Sequence, residues 1–345
     1  MQNTGGIKMG CVIQPVGIDI GYHETKVADS NGKVRTFPSL AGPTPDGLGL
    51  ADTQATDMLY RMLKPWQMLV GRYAYAQKVG SPNLSAEWFQ SDEYMALAMA
   101  GLSDSTSFHQ AFQLVTGLPV DHLAHKDALE ERLSGMHQVV WSHIGSVQTI
   151  KIEARVVSQG IGALALFLLD EDGTPTVPVE QLRNDERVAP SAVADSGAGT
   201  TCLLACRGAH TIAQETRSLA VGAWTIERNV RRALIAQYGE PLVRKLSRHE
   251  LLFRIRTNSL TRFGEPLDTS DIFEAACRAV ASEIVHEMAD MWGNGSHFQR
   301  MILCGGCGLL LGPYLKETYP TLQLVDDPVT ANSRGYVRLA KLLLQ

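Results

Sequence analysis

Three observations predict an α/β chain of two similarly built lobes. Two apolar runs, Val16-Gly17-Ile18-Asp19-Ile20-Gly21 and Ala192-Val193-Ala194-Asp195-Ser196-Gly197, lie roughly half the chain apart and end in the same Asp-x-Gly. Each is followed by a polar turn and further strand-like runs, and helix-period segments come between. A length of 345 residues, 45% hydrophobic and 19% charged, suits about two ordinary globular units. The expected division is a loose glycine-bearing tail over 1–14, a first lobe over 15–169 and a second over 170–332. A C-terminal helix over 333–345 folds back on the first lobe.

The first lobe opens as a meander: Val16–Asp19, Glu24–Ala28 and Lys33–Phe37, with Asn31-Gly32 as the hairpin signal between the last two. Residues 38–66, rich in Gly, Pro, Thr and Asp, read as an irregular insert, and Met68–Ala76 as strand into turn. Glu93–Gly101 reads as a buried helix, Phe112–Leu118 as a strand and His122–Leu133 as a helix. Val147–Val157 alternates apolar and polar as a strand does, and Gln159–Leu169 begins a helix. The polar stretch Asp170–Arg187 connects the lobes.

The second lobe restarts the plan with Ser191–Asp195, Thr200–Ala205 and Ala209–Glu215, turned at Arg207-Gly208. Trp224–Tyr238 and Ile272–Trp292 carry apolar stripes at helical spacing. Met301–Leu303 is a strand entering Gly305-Gly306-Cys307-Gly308, and Arg334–Leu343 is the last helix.

Composition removes several function classes. A formal charge of −5 argues against a chain that coats nucleic acid by bulk electrostatics. No run reaches the roughly 18 apolar residues that cross a bilayer. The first fourteen residues lack the order of a secretory signal, and Met9 is a candidate start. Six cysteines without such a signal read as free thiols in a reducing cytoplasm.

The chemistry sits in the turns. A strand that delivers a carboxylate and then a glycine puts an acid beside bare backbone N–H groups. The amides suit a phosphate, and the carboxylate suits its magnesium through the water shell. Two such turns facing each other would grip one nucleotide from both sides. Gly197-Ala198-Gly199 is no dinucleotide fingerprint, because Cys202 stands where the third glycine belongs and Thr200–Ala205 reads as strand. No P-loop is present. Lys26 reads either as a cation for the β- and γ-phosphates or as a solvated strand lysine. Thr200 and Thr201 read either as hydroxyl donors to phosphate or as strand formers. Gly305, Gly306 and Gly308 leave room for adenine and ribose, or simply make a tight strand-to-helix turn. Cys304 and Cys307 form a C-x-x-C with no second pair at zinc spacing. Cys202 and Cys206 read as packing residues on one strand face.

The order Asp-x-Gly with a downstream Lys, Asp-x-Gly-x-Gly-Thr-Thr, and a late Gly-Gly-x-Gly resembles the actin, Hsp70 and sugar-kinase superfamily. More narrowly it resembles the bacterial actin-like ATPases of the ParM/StbA plasmid-segregation family. Thr116-Gly117-Leu118-Pro119, Ser218-Leu219-Ala220-Val221-Gly222 and the run from Asp327 to Gly335 share the likeness, which extends over nearly all the chain from about residue 14. The resemblance implies an actin-like fold of two duplicated RNase H-like domains around a nucleotide cleft. It implies Asp19 and Asp195 as organisers of Mg2+ through water, and Gln159 as the residue that positions the attacking water. A plain structural role for Gln159, satisfying its own helix terminus, is the alternative. It further implies Gly21, Lys26, Gly197, Gly199, Thr200, Gly305, Gly306 and Gly308 as nucleotide contacts. The base, adenine of ATP or guanine of GTP, is left open.

A neutral amide orients water but removes no proton, so Gln159 favours slow hydrolysis over rapid transfer to a second substrate. The chain departs from the family's usual Asp-x-Gly-Gly-Gly-Thr-Thr-Asp at Ser196, Ala198 and Cys202, and His23 is bulky for its turn. The implied activity is a cytoplasmic ATPase that polymerises head to tail and meets plasmid DNA through a DNA-bound adaptor protein. Arg244, Lys245, Arg248, Arg254 and Arg256 read as a solvated helix face before a DNA contact. A small-molecule kinase of the same superfamily and a non-polymerising nucleotide-dependent clamp are the alternatives.

Overall fold

The computed structural model describes residues 12–44, 60–61, 67–80, 87–103, 111–141, 144, 146–208 and 210–345. Residues 1–11 of the expected tail and most of the 38–66 insert lie outside the described residues. The tail expected to run to 14 ends earlier, because Ile13 and Gln14 already pair with β7 as part of β1. In chain order the first part runs β1 (Ile13–Ile20), β2 (Glu24–Asp29), β3 (Val34–Pro38), β4 (Ala41–Pro43), β5 (Tyr60–Arg61), β6 (Met68–Val70), α1 (Gly71–Ala76), α2 (Asp92–Leu102), β7 (Ala111–Leu118), α3 (Lys126–Leu133), β8 (Gly135–Trp141), β9 (Gln148–Ser158) and α4 (Ile161–Leu168). The second runs β10 (Ser191–Ser196), β11 (Thr201–Arg207), β12 (His210–Thr211), β13 (Arg217–Leu219), α5 (Ala223–Tyr238), α6 (Arg248–Arg256), β14 (Thr261–Arg262), β15 (Glu265–Pro266), α7 (Ser270–Trp292), β16 (Arg300–Cys304), α8 (Gly308–Thr318), β17 (Leu322–Leu324) and α9 (Ala331–Leu342).

Two sheets repeat one plan. The first has the order β3-β2-β1-β7-β9-β8-β5 and the second β12-β11-β10-β16-β17, with β13 also on β11. In each, an antiparallel hairpin (β1–β2, β10–β11) continues into parallel neighbours (β7 and β9; β16 and β17). β7 is buried along its whole length, as a central parallel strand must be when both faces are covered. β9 alternates instead, burying Ile150, Ile152, Ala154 and Val156 and exposing Lys151, Glu153 and Arg155. The second core gathers one stripe of α7 (Ala276, Val280, Ile284, Met288) and one of α5 (Ile226, Val230, Leu234) against β16.

Two helices cross between the sheets. α9 lies against β1 and β7, close enough that a Cβ at Gly17 would strike Ser333 O. α4 puts Ile161 and Leu164 into a cluster with Val193 and Leu204 of the second sheet. The last helix of each chain segment thus rests on the other segment's sheet.

Several elements differ from the sequence reading. Met68–Ala76 is strand followed by a helix, α1, rather than strand into turn. His122–Leu133 begins as a 3-10 turn, Val120–His125, before α3. The third strand of the second meander is broken: β12 and β13 each take a separate stretch of β11, with a 3-10 turn at Ala213–Glu215 between them. α4 starts at Ile161 and not at Gln159, because Gly160 takes φ +94° and turns the chain first.

Candidate functional site: the interlobe cleft

The two Asp-x-Gly turns are built alike. Asp19 pairs across β1–β2 with Lys26, and Asp195 pairs at the same offset across β10–β11 with Cys202. Each turn is closed by its glycine: Gly21 N–H donates to Glu24 O at 3.1 Å, and Gly197 N–H to Thr200 O at 2.9 Å. Those two amides are therefore spent on the turns. The N–H groups of Tyr22, His23, Ala198 and Gly199 make no backbone hydrogen bond among the described residues, so they are the donors left for an anion.

Both turns open on one cavity of about 1080 Å³, lined by residues of both sheets. Asp19, Gly21, Lys26, Gln159, Asp195, Gly197, Gly199, Thr200, Gly305 and Gly306 all line it. Gly308 is the one predicted site residue outside the lining. It begins α8, and a Cβ there would meet Leu303 side-chain atoms at 3.2 and 3.4 Å, so it is a packing glycine. Thr201 also turns away, its hydroxyl donating to Val221 O at 2.9 Å.

The electrostatics concentrate on three groups. Lys26 Nζ donates to Asp19 Oδ2 at 3.3 Å. Burial works against its charge, but Asp19, then Asp195 and Glu24, outweigh burial and hold the ammonium above its ordinary range. Asp19 Oδ1 is buried without a hydrogen-bond partner. Asp195 is pushed up to about 6, first by burial and then by the charge of Asp19; Asn332 and Lys26 restrain the rise. Asn332 Nδ2 donates to Asp195 Oδ2 at 2.7 Å. The Asn332 Oδ1 accepts from the Gly160 and Ala163 amides at 3.2 Å each. One side chain on α9 therefore ties the second turn to the start of α4.

The orphaned oxygen of Asp19, with Asp195 on the same cavity, fits a hydrated divalent cation. Among the described residues no group of three or more His, Cys, Asp or Glu stands ready to hold a metal directly. A cation here would keep most of its water, as Mg2+ does. Cys304 and Cys307 do not add a metal pair. Both are buried thiols, Cys304 raised well above the usual range and Cys307 to about 12, in each case first by burial.

Glycines shape the floor. Gly305 holds φ +83°, and a Cβ there would strike Ser196 O. Gly306 is open, its nearest neighbour being Val329 Cγ2 at 3.8 Å. The N-terminus of α5 docks on the second turn through Ala223 N to Gly197 O (3.1 Å) and Trp224 N to Ala198 O (2.8 Å).

Aromatic rings bridge the mouth. Tyr22 stacks on Trp88 at 5.4 Å and reaches Trp224 of the other sheet at 6.5 Å. Arg248 lies over the Trp224 ring at 5.2 Å. His23 stacks on His249 at 5.4 Å. The basic stretch divides: Arg248 and Arg256 line the cleft, and Arg254 pairs with Glu250 at 2.7 Å. Tyr22, Trp224 and Asn332 were not singled out from the sequence. The only signal they left there is bulk at a tight turn and an Asn in the small-residue run that opens α9. No helix among the described residues is long and apolar enough to cross a membrane.

Residues 17–162 match the family model for the N-terminal domain of actin-like proteins. No curated protein matches the chain. Among solved structures, a ParM filament of fifteen strands from Clostridium botulinum aligns over 95% of this chain and 99% of its own, with TM-score 0.74 and 21% identity. A non-polymerisable quadruple mutant of pCBH ParM aligns over 96% and 99%, with TM-score 0.72 and 21% identity. Ta0583, an archaeal actin homologue in complex with ADP, aligns over 94% and 98%, with TM-score 0.71 and 20% identity. The fold is actin-like.

Proposed function

We propose that this actin-like chain binds a nucleoside triphosphate with Mg2+ between its lobes, hydrolyses it slowly and assembles head to tail into nucleotide-dependent filaments. One observation carries the reading. Two hairpins of identical register, from separate sheets, bring Asp19, Lys26 and Asp195 to a single glycine-floored cavity that also holds Gln159. ATP is the preferred nucleotide, with GTP the alternative. The ADP held by a structure of the same fold supports that class of ligand.

The free turn amides of Tyr22, His23, Ala198 and Gly199 would take phosphate oxygens, and Thr200 could add a hydroxyl. Lys26 offsets the charge, a pair at 4 Å being worth about 4 kcal/mol at an effective dielectric near 20. Asp19 and Asp195 would hold Mg2+ through water, and the ion supplies further neutralisation of the phosphates. Gln159 sits where α4 and β9 meet, its N–H donating to Leu118 O at 2.8 Å, and it would orient the attacking water. A ligand touching both turns favours the closed arrangement of the lobes, and losing the γ-phosphate weakens that preference. A head-to-tail contact between closed copies is heterologous and does not close on itself, which yields a filament. The ParM filament of the same fold supports this assembly. Cytoplasmic segregation of plasmid DNA, through a DNA-bound adaptor and not by direct DNA binding, is the corresponding role.

The test is light scattering on adding ATP and magnesium, followed alongside phosphate release, with negative-stain microscopy under a non-hydrolysable analogue. Scattering that rises with ATP and decays as phosphate appears is the expected record. Its absence at high protein concentration, with nucleotide bound, removes the polymer and leaves a clamp.

A further inference from the structure

Cys202 stands across the hairpin from Asp195 and is 1% exposed. Its Sγ lies 3.8 Å from Gln159 Oε1 and 3.6 Å from Ser218 Oγ. A buried thiol stays protonated, with one weak S–H to give and a sulfur that accepts weakly. The Ser218 hydroxyl donates to the sulfur, which leaves the single S–H for Gln159 Oε1, an atom that only accepts. The S–H group therefore draws the amide oxygen of Gln159 back toward the second sheet. No protein group among the described residues engages the amide nitrogen, and Gln159 lines the cleft. The part of the amide left to the cavity is the N–H2.

We propose that Cys202 is a positioning residue that holds Gln159 with its N–H2 toward the bound nucleotide and so keeps triphosphate hydrolysis slow. The proposal rests on the reading of the cleft as a nucleotide site with Gln159 beside the attacking water. In that reaction the water oxygen bonds to the γ-phosphorus as the bond to the bridging oxygen breaks. The diphosphate leaves with that electron pair, and a water proton passes to a phosphate oxygen or to solvent. An amide oxygen facing the water accepts one O–H and turns the lone pair toward phosphorus. An N–H2 donates to the lone pair that has to attack. An acceptor at 202 would reverse the amide, because its N–H2 would then be drawn inward.

The experiment compares single-turnover phosphate release with nucleotide affinity in the full chain and in Cys202→Ala, Cys202→Ser, Cys202→Asp and Gln159→Glu. Freeing the amide in Cys202→Ala raises the rate about three- to fivefold, the scale of one weak hydrogen bond, and leaves the nucleotide affinity unchanged. Cys202→Ser restores a donor and brings the rate back down. Cys202→Asp and Gln159→Glu both put an oxygen before the water and accelerate turnover about tenfold or more. Rates at or below the parent in Cys202→Ala, with nucleotide bound, overturn the proposal, and that variant decides if the buried Asp prevents folding. A parent chain that shows no nucleotide-dependent thermal shift removes the site reading itself.

Discussion

In the first lobe's hairpin Asp19 faces Lys26; in the second's, at the same register, Asp195 faces Cys202. The backbones are equivalent down to the hydrogen bond that closes each turn. The side chains are not. The first hairpin brings charge and bulk: an ammonium, a carboxylate with one unpartnered oxygen, and Tyr22-His23 reaching across the mouth. The second brings space: Gly197-Ala198-Gly199, with a carboxylate that burial pushes up to about 6. Repeating a backbone places two acids together, and varying what faces each acid divides the work between them.

The largest effect should come from removing the second acid. Asp195→Ala loses the nucleotide-driven stabilisation, about 4 kcal/mol for the parent at 1,000 times its dissociation constant, read as the thermal shift with ATP and magnesium. If the variant retains the whole shift, the cation is placed wrongly. Asp19→Ala should lose that shift too, and it also strips Lys26 of its partner. The unliganded protein then weakens by about 2 kcal/mol, discounted from a fully buried pair because both groups keep some exposure. Urea midpoints that fall equally in the two variants would erase the contrast between the hairpins.

Next is the support under the second turn. Gly305→Ala forces a side chain into φ +83° and against Ser196 O, costing about 2 kcal/mol. Gly306→Ala, with only Val329 nearby, should stay within about 0.5 kcal/mol of the parent. Tyr22→Ala removes the ring contact to Trp224, worth about 1 kcal/mol, so stopped-flow release of a fluorescent nucleotide should quicken about fivefold. An unchanged off-rate means the rings do not latch the lobes.

The smallest effect is acid sensitivity. The His23 imidazole is held below its ordinary 6.5, first by burial and then by His249 and Lys26, against the pull of Glu24. Well above pH 6.5 it is neutral whether folded or not, and contributes nothing to the pH dependence. Below that, the unfolded chain takes a proton that the folded one resists, so stability falls as pH drops and levels off once the folded pKa is passed. His23→Asn should flatten that part of a thermal-stability profile against pH.

Much of this was legible in the residues. Period-two alternation marks β9, Asn31-Gly32 marks the β2–β3 turn, and Asp-x-Gly marks each cleft-facing hairpin, because local sterics and solvation decide all three. β8, α8 and β17 were not singled out, since short apolar runs do not declare which neighbour covers them. The broken third strand of the second meander was read as continuous, because strand propensity does not show that β12 and β13 share β11. Asn332 was part of a resemblance and had no role; its three hydrogen bonds reach residues more than a hundred positions away.

By itself the sequence determined the repeated strand–turn–strand chemistry, the absence of a long apolar span in its composition, and the residue types offered at each turn. Tertiary structure alone decided that both acids share a cavity, that Gly308 lies outside its lining, and that a thiol on β11 meets an amide just beyond the end of β9. The reason is physical: turn geometry depends on a few neighbouring residues, whereas a cleft is made by two sheets whose separation no local pattern encodes.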